Sequence, residues 1–471
     1  MHDPVWTSVV PPLLAIGLAI ATRQVILSLS IGIWMGAWLL GAGDPLTAVG
    51  QAIEAVINVF GDAGDTRVLL FTLIIGALIA TIEQLGGVRG FIALLQNRGW
   101  VTGAKRAQWL AFFTGVVVFI ESNITLLIAG SISRPLFDRF AVSREKLAYI
   151  IDATSAPICV LIPLNAWGAV IVSLLASSGI DDPINVFIGS IAYNFYAIAA
   201  VLVCAFVIAR GLDIGPMRKA QLRTLGGELL WPSATPMVDP AVMADQMAHQ
   251  DSDAASTMLV PIVTLIITMP VALYVTGDGD ISAGSGSTSV LWAVLLALTT
   301  VWVLGLVRRQ TRIEELMQLF FKGAGGLLPV AMILLFSLAL GDIANALGTG
   351  IYVAQLAQSA VPMAALLPLL FVLSAFIAFS IGSSWGTFAI MIPLAMQIVL
   401  ALDVNASIFL AAVLSGAVFG DHASPISDTT VVASMAAATD HIDHVRTQLP
   451  YALLSAGIAT LAFFAVGVLT L

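Results

Sequence analysis

A ten-residue segment near the carboxyl-terminal end, GDHASPISDT (420–429), concentrates side chains that could bind or exchange small cations. It holds Asp421, His422 and Asp428, several hydroxyl groups and Pro425 within an otherwise apolar part of the chain. A carboxylate in such surroundings is costly and usually marks an ion path or a proton relay. Histidine can exchange protons near neutral pH. The alternative for all three side chains is a structural hydrogen-bond network that supports a broken helix.

A second group of candidates lies in FIESNIT (119–125) and DATSAPI (152–158). Glu121 and Asp152 are carboxylates in apolar surroundings, where burial raises a carboxyl pKa and a bound cation lowers it. Such a group could couple proton and sodium movement. Each could instead stabilise a helix end, since the helix macrodipole favours a negative group near the first turn.

Hydroxyl and amide oxygens close to these carboxylates are candidate ligands. Hard oxygen ligands suit sodium and do not suit a soft transition metal. Serine and threonine in membrane helices also commonly bond their own backbone, which is the alternative role. The candidate ion-binding or substrate-binding residues are Ser122, Asn123, Thr125, Ser155, Ser383, Ser384, Thr387, Ser424, Ser427 and Thr429. Sodium itself is expected at Ser122, Asn123, Thr125, Asp421 and Asp428.

The composition is that of an integral membrane protein. The chain has 471 residues, of which 59% are hydrophobic and only 10% charged, and its mean hydropathy is +1.00. Apolar runs such as 184–209 and 453–471 reach the ~20 residues that cross a bilayer as a helix. The fold class is therefore all-α and polytopic. A nucleic-acid partner is not implied, and no phosphate-binding loop, nucleophile–base set or zinc spacing suggests an enzyme.

The chain contains an internal repeat, which is typical of membrane transporters. Segment 78–96 matches 338–358, and segment 121–125 matches 383–387, at the same shift of 262 residues. Segment 155–159 matches 423–427 at a shift that is six residues longer. In this alignment Ser122 falls on Ser384 and Pro157 on Pro425. The first repeat is assigned to 5–209, the polar linker to 210–256 and the second repeat to 257–471.

Basic residues indicate that the two repeats are inverted. The loops at 85–106 and 134–146 are rich in lysine and arginine, whereas their second-half counterparts carry none. The segment 42–67 has few basic residues, whereas its second-half counterpart near 308–322 is rich in them. Since lysine and arginine accumulate on the cytoplasmic side, equivalent loops are expected to face opposite sides. The predicted topology has external termini, five crossings per half and a cytoplasmic linker.

This topology requires two re-entrant helical hairpins, at 107–133 and 363–402, because basic loops lie on both sides of the first. Each hairpin precedes a broken transmembrane helix, at 147–175 and 405–438, in which proline prevents a continuous helix. Unwound backbone at this depth is tolerated where protein, water or a bound solute satisfies it. The hairpin tips and helix breaks are therefore expected to meet near the bilayer midplane and to form the transport region.

The motif GDHASPISDTT, with FIESNIT, SAPICVLIPLNAWG and HVRTQLPYAL, resembles the NhaC-type sodium/proton antiporter family over most of the chain. The hairpin tips resemble more broadly the ion transporter superfamily. The resemblance implies a transport domain, a scaffold domain, elevator-like alternating access and a homodimer in the inner membrane. It implies no cofactor apart from sodium and protons as transported ions. The second tip departs from the pattern, since Trp385 stands where the first has Asn123.

The leading functional prediction is sodium/proton antiport, with small cations and membrane lipid as the partners. The alternative is a sodium- or proton-coupled transporter or exchanger of an organic acid or amino acid, with Trp385, Asn165 and Trp167 lining its pocket. A channel or intramembrane enzyme is a third class. His441 and His444 are interpreted as part of a cytoplasmic loop, with metal binding or pH sensing as the alternative.

Overall fold

The computed structural model describes most of the chain, and all regular structure in the described residues is helical. The described residues are 6–22, 24–41, 44–87, 90, 102–119, 122–163, 165–236, 255–279, 284–349, 351–352, 362–425 and 427–470.

The helices follow one another along the chain as follows. The first twelve described helices are α1 (Val10–Thr22), α2 (Val25–Leu40), α3 (Pro45–Asn58), α4 (Ala63–Gln84), α5 (Ala104–Val117), α6 (Ser122–Arg139), α7 (Arg144–Ala153), α8 (Ala156–Leu161), α9 (Ala166–Ser177), α10 (Pro183–Ile191), α11 (Phe195–Arg210) and α12 (Pro216–Leu225). The remaining described helices are α13 (Ala255–Thr276), α14 (Gly286–Val307), α15 (Ile313–Ala346), α16 (Met363–Ile381), α17 (Ser384–Leu402), α18 (Ala406–Ala423), α19 (Asp428–Ala437) and α20 (His441–Thr470).

Helix length and apolar composition make this a multi-pass membrane protein. Among the described residues, nine helical segments are long and apolar enough to cross a bilayer, and the bent pair α2–α3 would make a tenth. Large apolar side chains such as Leu202 and Leu461 are exposed on the isolated chain, at 62% and 72%, as expected for positions that face lipid. The nine segments include both α16 and α17. The re-entrant path of 363–402 and the inverted relation of the halves therefore remain predictions.

Short interruptions separate four pairs of helices. Their described residues are 118–119 between α5 and α6, 154–155 between α7 and α8, 382–383 between α16 and α17, and 424, 425 and 427 between α18 and α19. Pro157 lies in the first turn of α8, where its missing amide costs no helical hydrogen bond. Pro425 lies inside the last interruption and cannot extend the preceding helix.

Glycines hold α18 in direct backbone contact with α16. A Cβ atom added at Gly416 would lie 2.2 Å from the carbonyl oxygen of Phe371, and one added at Gly420 would lie 2.2 Å from that of Ala375. Small residues four positions apart are a common means of bringing membrane helices together. The hydroxyl of Ser424 extends this contact by donating to the carbonyl oxygen of Phe379 at 2.8 Å. The end of α18 is thereby fixed against the end of α16.

Close contacts also join the two halves of the chain. A Cβ atom at Gly130 on α6 would lie 2.6 Å from that of Ala436 on α19. On the first-half side, a Cβ atom at Gly115 on α5 would lie 2.1 Å from the hydroxyl oxygen of Thr154. Helix α5 therefore packs on the α7–α8 interruption, while α6 packs on the helix that follows the α18–α19 interruption.

The described part of the polar linker, 210–236, packs against the first half of the chain. Arg223 forms two hydrogen bonds with the buried carboxylate of Glu145, at 2.7 and 3.0 Å. Lys146 forms a second ion pair with Asp213 at 2.8 Å. A buried charge needs such a partner, because its desolvation alone would cost several kcal/mol, on the order of the stability of a domain. The linker is therefore anchored at the beginning of α7.

The linker also contacts the beginning of α20 through Asp440. The carboxylate of Asp440 accepts from the amide of Thr235 at 2.9 Å and from the amides of Ile442 and Asp443 at 2.9 and 3.1 Å. Burial opposes the charged form of Asp440, but these hydrogen bonds outweigh burial and lower the pKa of the carboxyl. Asp440 therefore remains charged as the N-terminal cap of α20.

We expect Gly420→Ala to destabilise the protein, because the new methyl group would meet the carbonyl of Ala375 and neither backbone can move easily. The free energy of unfolding should fall by about 1–3 kcal/mol. Gly457→Ala is the control, because a Cβ atom there has no neighbour within 4 Å. Labelling of the buried Cys159 and Cys204 by a thiol-reactive dye during heating would report both unfolding temperatures. Equal unfolding temperatures for the two variants would contradict the packing described.

Candidate functional site

The interruption between α18 and α19 is stabilised by its own hydroxyl groups. The backbone at Ser424 is extended, with φ −82° and ψ 132°, and ends α18. The hydroxyl of Ser427 caps α19 by accepting from the amide of Thr430 at 3.4 Å. The hydroxyl of Thr430 lies 3.4 Å from the carbonyl oxygen of Asp421, in the last turn of α18. The amide of Thr430 and the carbonyl group of Asp421, on the two sides of the interruption, are therefore both bonded by side-chain hydroxyls.

The carboxylate of Asp421 lies at the meeting point of three helix ends. The side chain is buried, and its Oδ2 accepts from the hydroxyl of Ser384 at 2.7 Å. Its Oδ1 accepts from the hydroxyl of Ser427, which is also 2.9 Å from the hydroxyl of Thr429. Ser384 begins α17 and Ser427 precedes α19, so the positive ends of two helix macrodipoles stabilise the carboxylate charge. These residues form the Asp421 cluster.

A second buried polar cluster surrounds Asp152, near the end of α7. Its Oδ2 accepts from the side-chain amide of Gln448 at 2.8 Å and lies 3.3 Å from Nε2 of His444. Nε2 of His422 is 3.9 Å from the same oxygen. Nδ1 of His422 is 2.7 Å from the hydroxyl of Tyr196. These five residues form the Asp152 cluster, which joins α7, α11, α18 and α20.

The Asp152 cluster contains buried polar atoms that the described residues leave without a hydrogen-bond partner. They are Oδ1 of Asp152, Nε2 of His422, Nδ1 of His444 and Oε1 of Gln448. A buried polar atom without a partner typically costs about 1–3 kcal/mol. Such a group of atoms is suited to exchanging protons, because both histidines and the carboxylate can change protonation.

The two clusters are adjacent and share the end of α18. Asp421 and His422 are neighbours in the chain, and each belongs to a different cluster. Gln448 connects them, because its side-chain amide also donates to the carbonyl oxygen of His422 at 2.6 Å. Because the clusters are adjacent, a change of charge in one alters the electrostatic potential in the other.

The α7–α8 interruption is closed by local hydrogen bonds. The hydroxyl of Ser155 donates to the carbonyl oxygen of Asp152 at 3.0 Å, and the hydroxyl of Thr154 donates to that of Ile150 at 2.8 Å. Ser155, predicted as an ion- or substrate-binding residue, therefore uses its proton to satisfy backbone.

Asn165 connects the α7–α8 region to the end of α5. Its amide nitrogen lies 3.1 Å from the carbonyl oxygen of Phe119, 2.8 Å from that of Cys159 and 2.9 Å from that of Ile162. Its oxygen accepts from the amide of Gly168 at 2.9 Å and so caps α9. The geometry gives this side chain a structural role, and its place in a substrate pocket stays a prediction.

The predicted tip residues divide into those with described side chains and those without. Ser122 is buried, and buried Thr125 donates to the carbonyl oxygen of Val118. In the second tip Ser383 caps α17, and the hydroxyl of Thr387 donates to the carbonyl oxygen of Ser383 at 3.0 Å. Glu121 and the side chains of Asn123 and Asp428 lie outside the described residues.

The two aromatic residues near the interruptions meet one another. The ring centroids of Trp167 and Trp385 are 5.1 Å apart, which places the start of α9 against the start of α17.

Two histidines occupy positions that sequence reasoning missed. His441 and His444, interpreted above as loop residues, lie in α20 and are buried. Nε2 of His441 is 2.6 Å from the carbonyl oxygen of Pro425, so this ring supports the α18–α19 interruption. The spacing of His444 and Gln448 was the available signal, because residues four apart lie on one face of a helix.

Comparison with known proteins identifies the family. The sequence model of the Na+/H+ antiporter family matches residues 181–468, more than half of the chain. The chain belongs to the Na+/H+ antiporter family. It is therefore a secondary transporter of the membrane, as the resemblance predicts.

This antiporter-family chain is similar to three relatives that differ in the share of the chain they match. An uncharacterized protein of Haemophilus influenzae is 35% identical over 98% of this chain and 91% of its own length. An arginine/ornithine antiporter of Halobacterium salinarum is 39% identical over 22% of this chain and 21% of its own. A malate-2H+/Na+-lactate antiporter of Bacillus subtilis is 36% identical over 21% of this chain and 22% of its own.

The fold is shared with a solved transporter structure. The YdaH transporter of Alcanivorax borkumensis superposes with a TM-score of 0.62 over 94% of this chain and 97% of that one. The identity is 16%, so the likeness shows the fold alone.

We expect Asn165→Ala to destabilise the protein by about 1–3 kcal/mol, because buried carbonyl groups lose their donor and α9 loses its cap. Asn185→Ala is the matched control, since Asn185 is exposed and its side chain bonds only Asp182 within the described residues. Thermal unfolding of the two purified variants measures the difference. An Asn165→Ala protein as stable as Asn185→Ala would show that Asn165 does not hold these segments together.

Proposed function

We propose that this transporter exchanges sodium ions for protons and that the Asp421 cluster binds the sodium ion. The observation that supports this most strongly is the position of Asp421 itself. Asp421 is 1% exposed and lies in the last turn of a helix that is long and apolar enough to cross a membrane. A carboxylate there is retained for a functional reason more often than for stability.

The ligands of the Asp421 cluster suit a monovalent cation. Carboxylate and hydroxyl oxygens are hard donors, and the hydroxyls of Ser384 and Ser427 can rotate to turn a lone pair toward an ion. Among the described residues, no three acidic, histidine or cysteine side chains are arranged to hold a metal ion. One carboxylate with neutral oxygens favours weak, reversible binding of sodium over tight binding of a divalent ion. Asn123 and Asp428 remain candidates for the same site.

The Asp152 cluster is proposed to carry the proton. Asp152 can accept a proton on its unbonded Oδ1, and His444 can accept one on Nδ1. The proton can then move within the cluster over short distances, since both histidines approach Oδ2 of the same carboxylate. The side-chain amide of Gln448 holds that oxygen in place.

Coupling follows from the adjacency of the two clusters. A protonated His422 would place a positive charge one residue from Asp421, where it would repel a sodium ion. A bound sodium ion would in turn disfavour the protonated ring, because like charges close together in a low-dielectric site repel strongly. The two ions therefore compete, and each alternation of access would carry one of them. Competition of this kind is the requirement for antiport.

A second candidate function is the exchange of an organic acid or amino acid. It is supported by the names of the two partly matching relatives, one an arginine/ornithine antiporter and one a malate-2H+/Na+-lactate antiporter. In that case the Asp421 cluster would bind the coupling ion, and Trp167 and Trp385 would contact the solute. Stabilisation of the purified protein by one amino acid or carboxylate from a panel would favour this candidate.

The arrangement in the membrane is proposed on the charge pattern. The basic residues of the linker and of the loops around it indicate that this end of the molecule is cytoplasmic. The termini would then be external, and the protein would lie in the inner membrane as a homodimer, as the resemblance implies. Inverted repeats with an elevator-like movement remain part of the same proposal.

We expect Asp421→Asn to lower sodium-dependent proton flux in proteoliposomes at least about tenfold, because a cation loses its only charged ligand in the described part of the site. An internal pH dye would measure the flux after a sodium gradient is applied. Asp403→Asn is the matched control, since Asp403 is exposed in the turn before α18. Undiminished flux in Asp421→Asn would refute the proposed sodium site.

We expect Asp152→Asn to separate proton movement from sodium binding. The substituted side chain keeps its shape but cannot take up a proton, so sodium-driven proton flux should fall at least about tenfold. Sodium should still raise the unfolding temperature of the purified variant by more than it raises that of the Asp152→Asn, Asp421→Asn double variant, because the Asp421 cluster is intact. Loss of both properties would place Asp152 in the sodium site, and retention of both would exclude it from proton transfer.

A further inference from the structure

A cavity that shares no lining residue with either cluster lies between the ends of several helices. It measures about 390 Å³ and opens between the beginning of α4, the α9–α10 connection and the beginning of α14. The polar side chains that line it include those of Asp62, Asp65, Ser173, Asp181 and Asp182. No lysine or arginine is among the described residues of its wall.

Two of the lining residues are mostly buried, while their side-chain oxygens stay accessible from the cavity. Asp65 is 9% exposed and Ser173 is 4% exposed. Within the described residues neither the carboxylate of Asp65 nor the hydroxyl of Ser173 makes a hydrogen bond or ion pair. Asp62 and Asp182 differ, because they accept from backbone amides at helix starts, those of Asp65 and Asn185. Capping therefore uses the carboxylates of Asp62 and Asp182. The carboxylate of Asp65, in the first turn of α4, and the hydroxyl of Ser173 remain available to a ligand.

The charge around Asp65 favours a cation. Asp62 and Asp342 are close enough to repel the Asp65 carboxylate, and no described basic side chain lines the cavity to offset them. A group of uncompensated carboxylates in a partly closed space attracts positive ions and raises their local concentration.

We infer that this cavity binds a monovalent cation on Asp65, with the hydroxyl of Ser173 as a neutral ligand. The cation is either hydrated sodium or the ammonium group of a small amine. The volume lies in the range of small-molecule sites, which begin at about 300 Å³. A chelated divalent metal is disfavoured, because no described group of three acidic side chains is arranged for one. The predicted topology places the cavity on the external side, where it would collect cations before transport.

Binding can be measured in the purified full-length protein carrying Asp421→Asn, which removes the central carboxylate and any dependence on transport activity. Sodium chloride or ethylammonium chloride should raise the unfolding temperature relative to an equal concentration of choline chloride, which has no N–H donor. Adding Asp65→Asn should abolish the rise. Adding Ser173→Ala should increase the half-maximal cation concentration about fivefold, as expected for one lost neutral ligand. Adding Asp403→Asn should change neither value.

The outcomes distinguish the ligands and can overturn the inference. A rise with sodium alone assigns the cavity to the inorganic ion, and a rise with ethylammonium assigns it to an amine, provided that either rise requires Asp65. An equal rise with and without Asp65→Asn, or no rise with either cation, overturns the site. If Asp65→Asn does not yield folded protein, an unchanged half-maximal concentration in Ser173→Ala overturns it. These results do not depend on whether Asp421 supports sodium/proton exchange.

Discussion

The carboxylate of Asp421 holds three helix ends together, and the second buried polar cluster lies directly beside it. Its two oxygens accept hydroxyl protons from the first residue of α17 and from the residue that caps α19. A buried charge without such partners would cost far more than a membrane protein can tolerate. The interruption between α18 and α19 makes this contact possible, because in an unbroken helix Ser427, six residues after Asp421, would point away from the carboxylate.

The surrounding packing explains how so polar a site is kept in place. Gly416 and Gly420 let α18 touch the backbone of α16, while His441 reaches from α20 to the carbonyl oxygen of Pro425. The interruption is thus supported from two sides by rigid helices. The Asp152 cluster lies on the neighbouring face of the same helix end, and its unbonded polar atoms contrast with the bonded Asp421 carboxylate. Both oxygens of the Asp421 carboxylate accept hydrogen bonds, whereas the Asp152 cluster has polar atoms that could still accept a proton.

Much of this arrangement could be predicted from the sequence, and the exceptions have a physical reason. Apolar runs predict the helices, and Pro157 and Pro425 predict interruptions, because both signals are local. Asp421 could be singled out because a carboxylate in an apolar segment is unusual. His444 could not be singled out in this way, because its contact with the carboxylate of Asp152 joins residues that are almost 300 positions apart in the chain. The structural role of Asn165 could not be predicted for a similar reason, since the carbonyl groups that it bonds become available only when α5 and α8 end beside it.

Sodium at Asp421 and a proton at the adjacent cluster are proposed to exclude one another. The most direct test is to add sodium chloride to the purified protein in weakly buffered detergent solution and to measure protons released into the solvent. The account predicts release from the unmodified protein, none on addition of choline chloride, and none from Asp421→Asn on addition of sodium. Equal release from Asp421→Asn, or sodium binding to the unmodified protein with no release of protons, would contradict it.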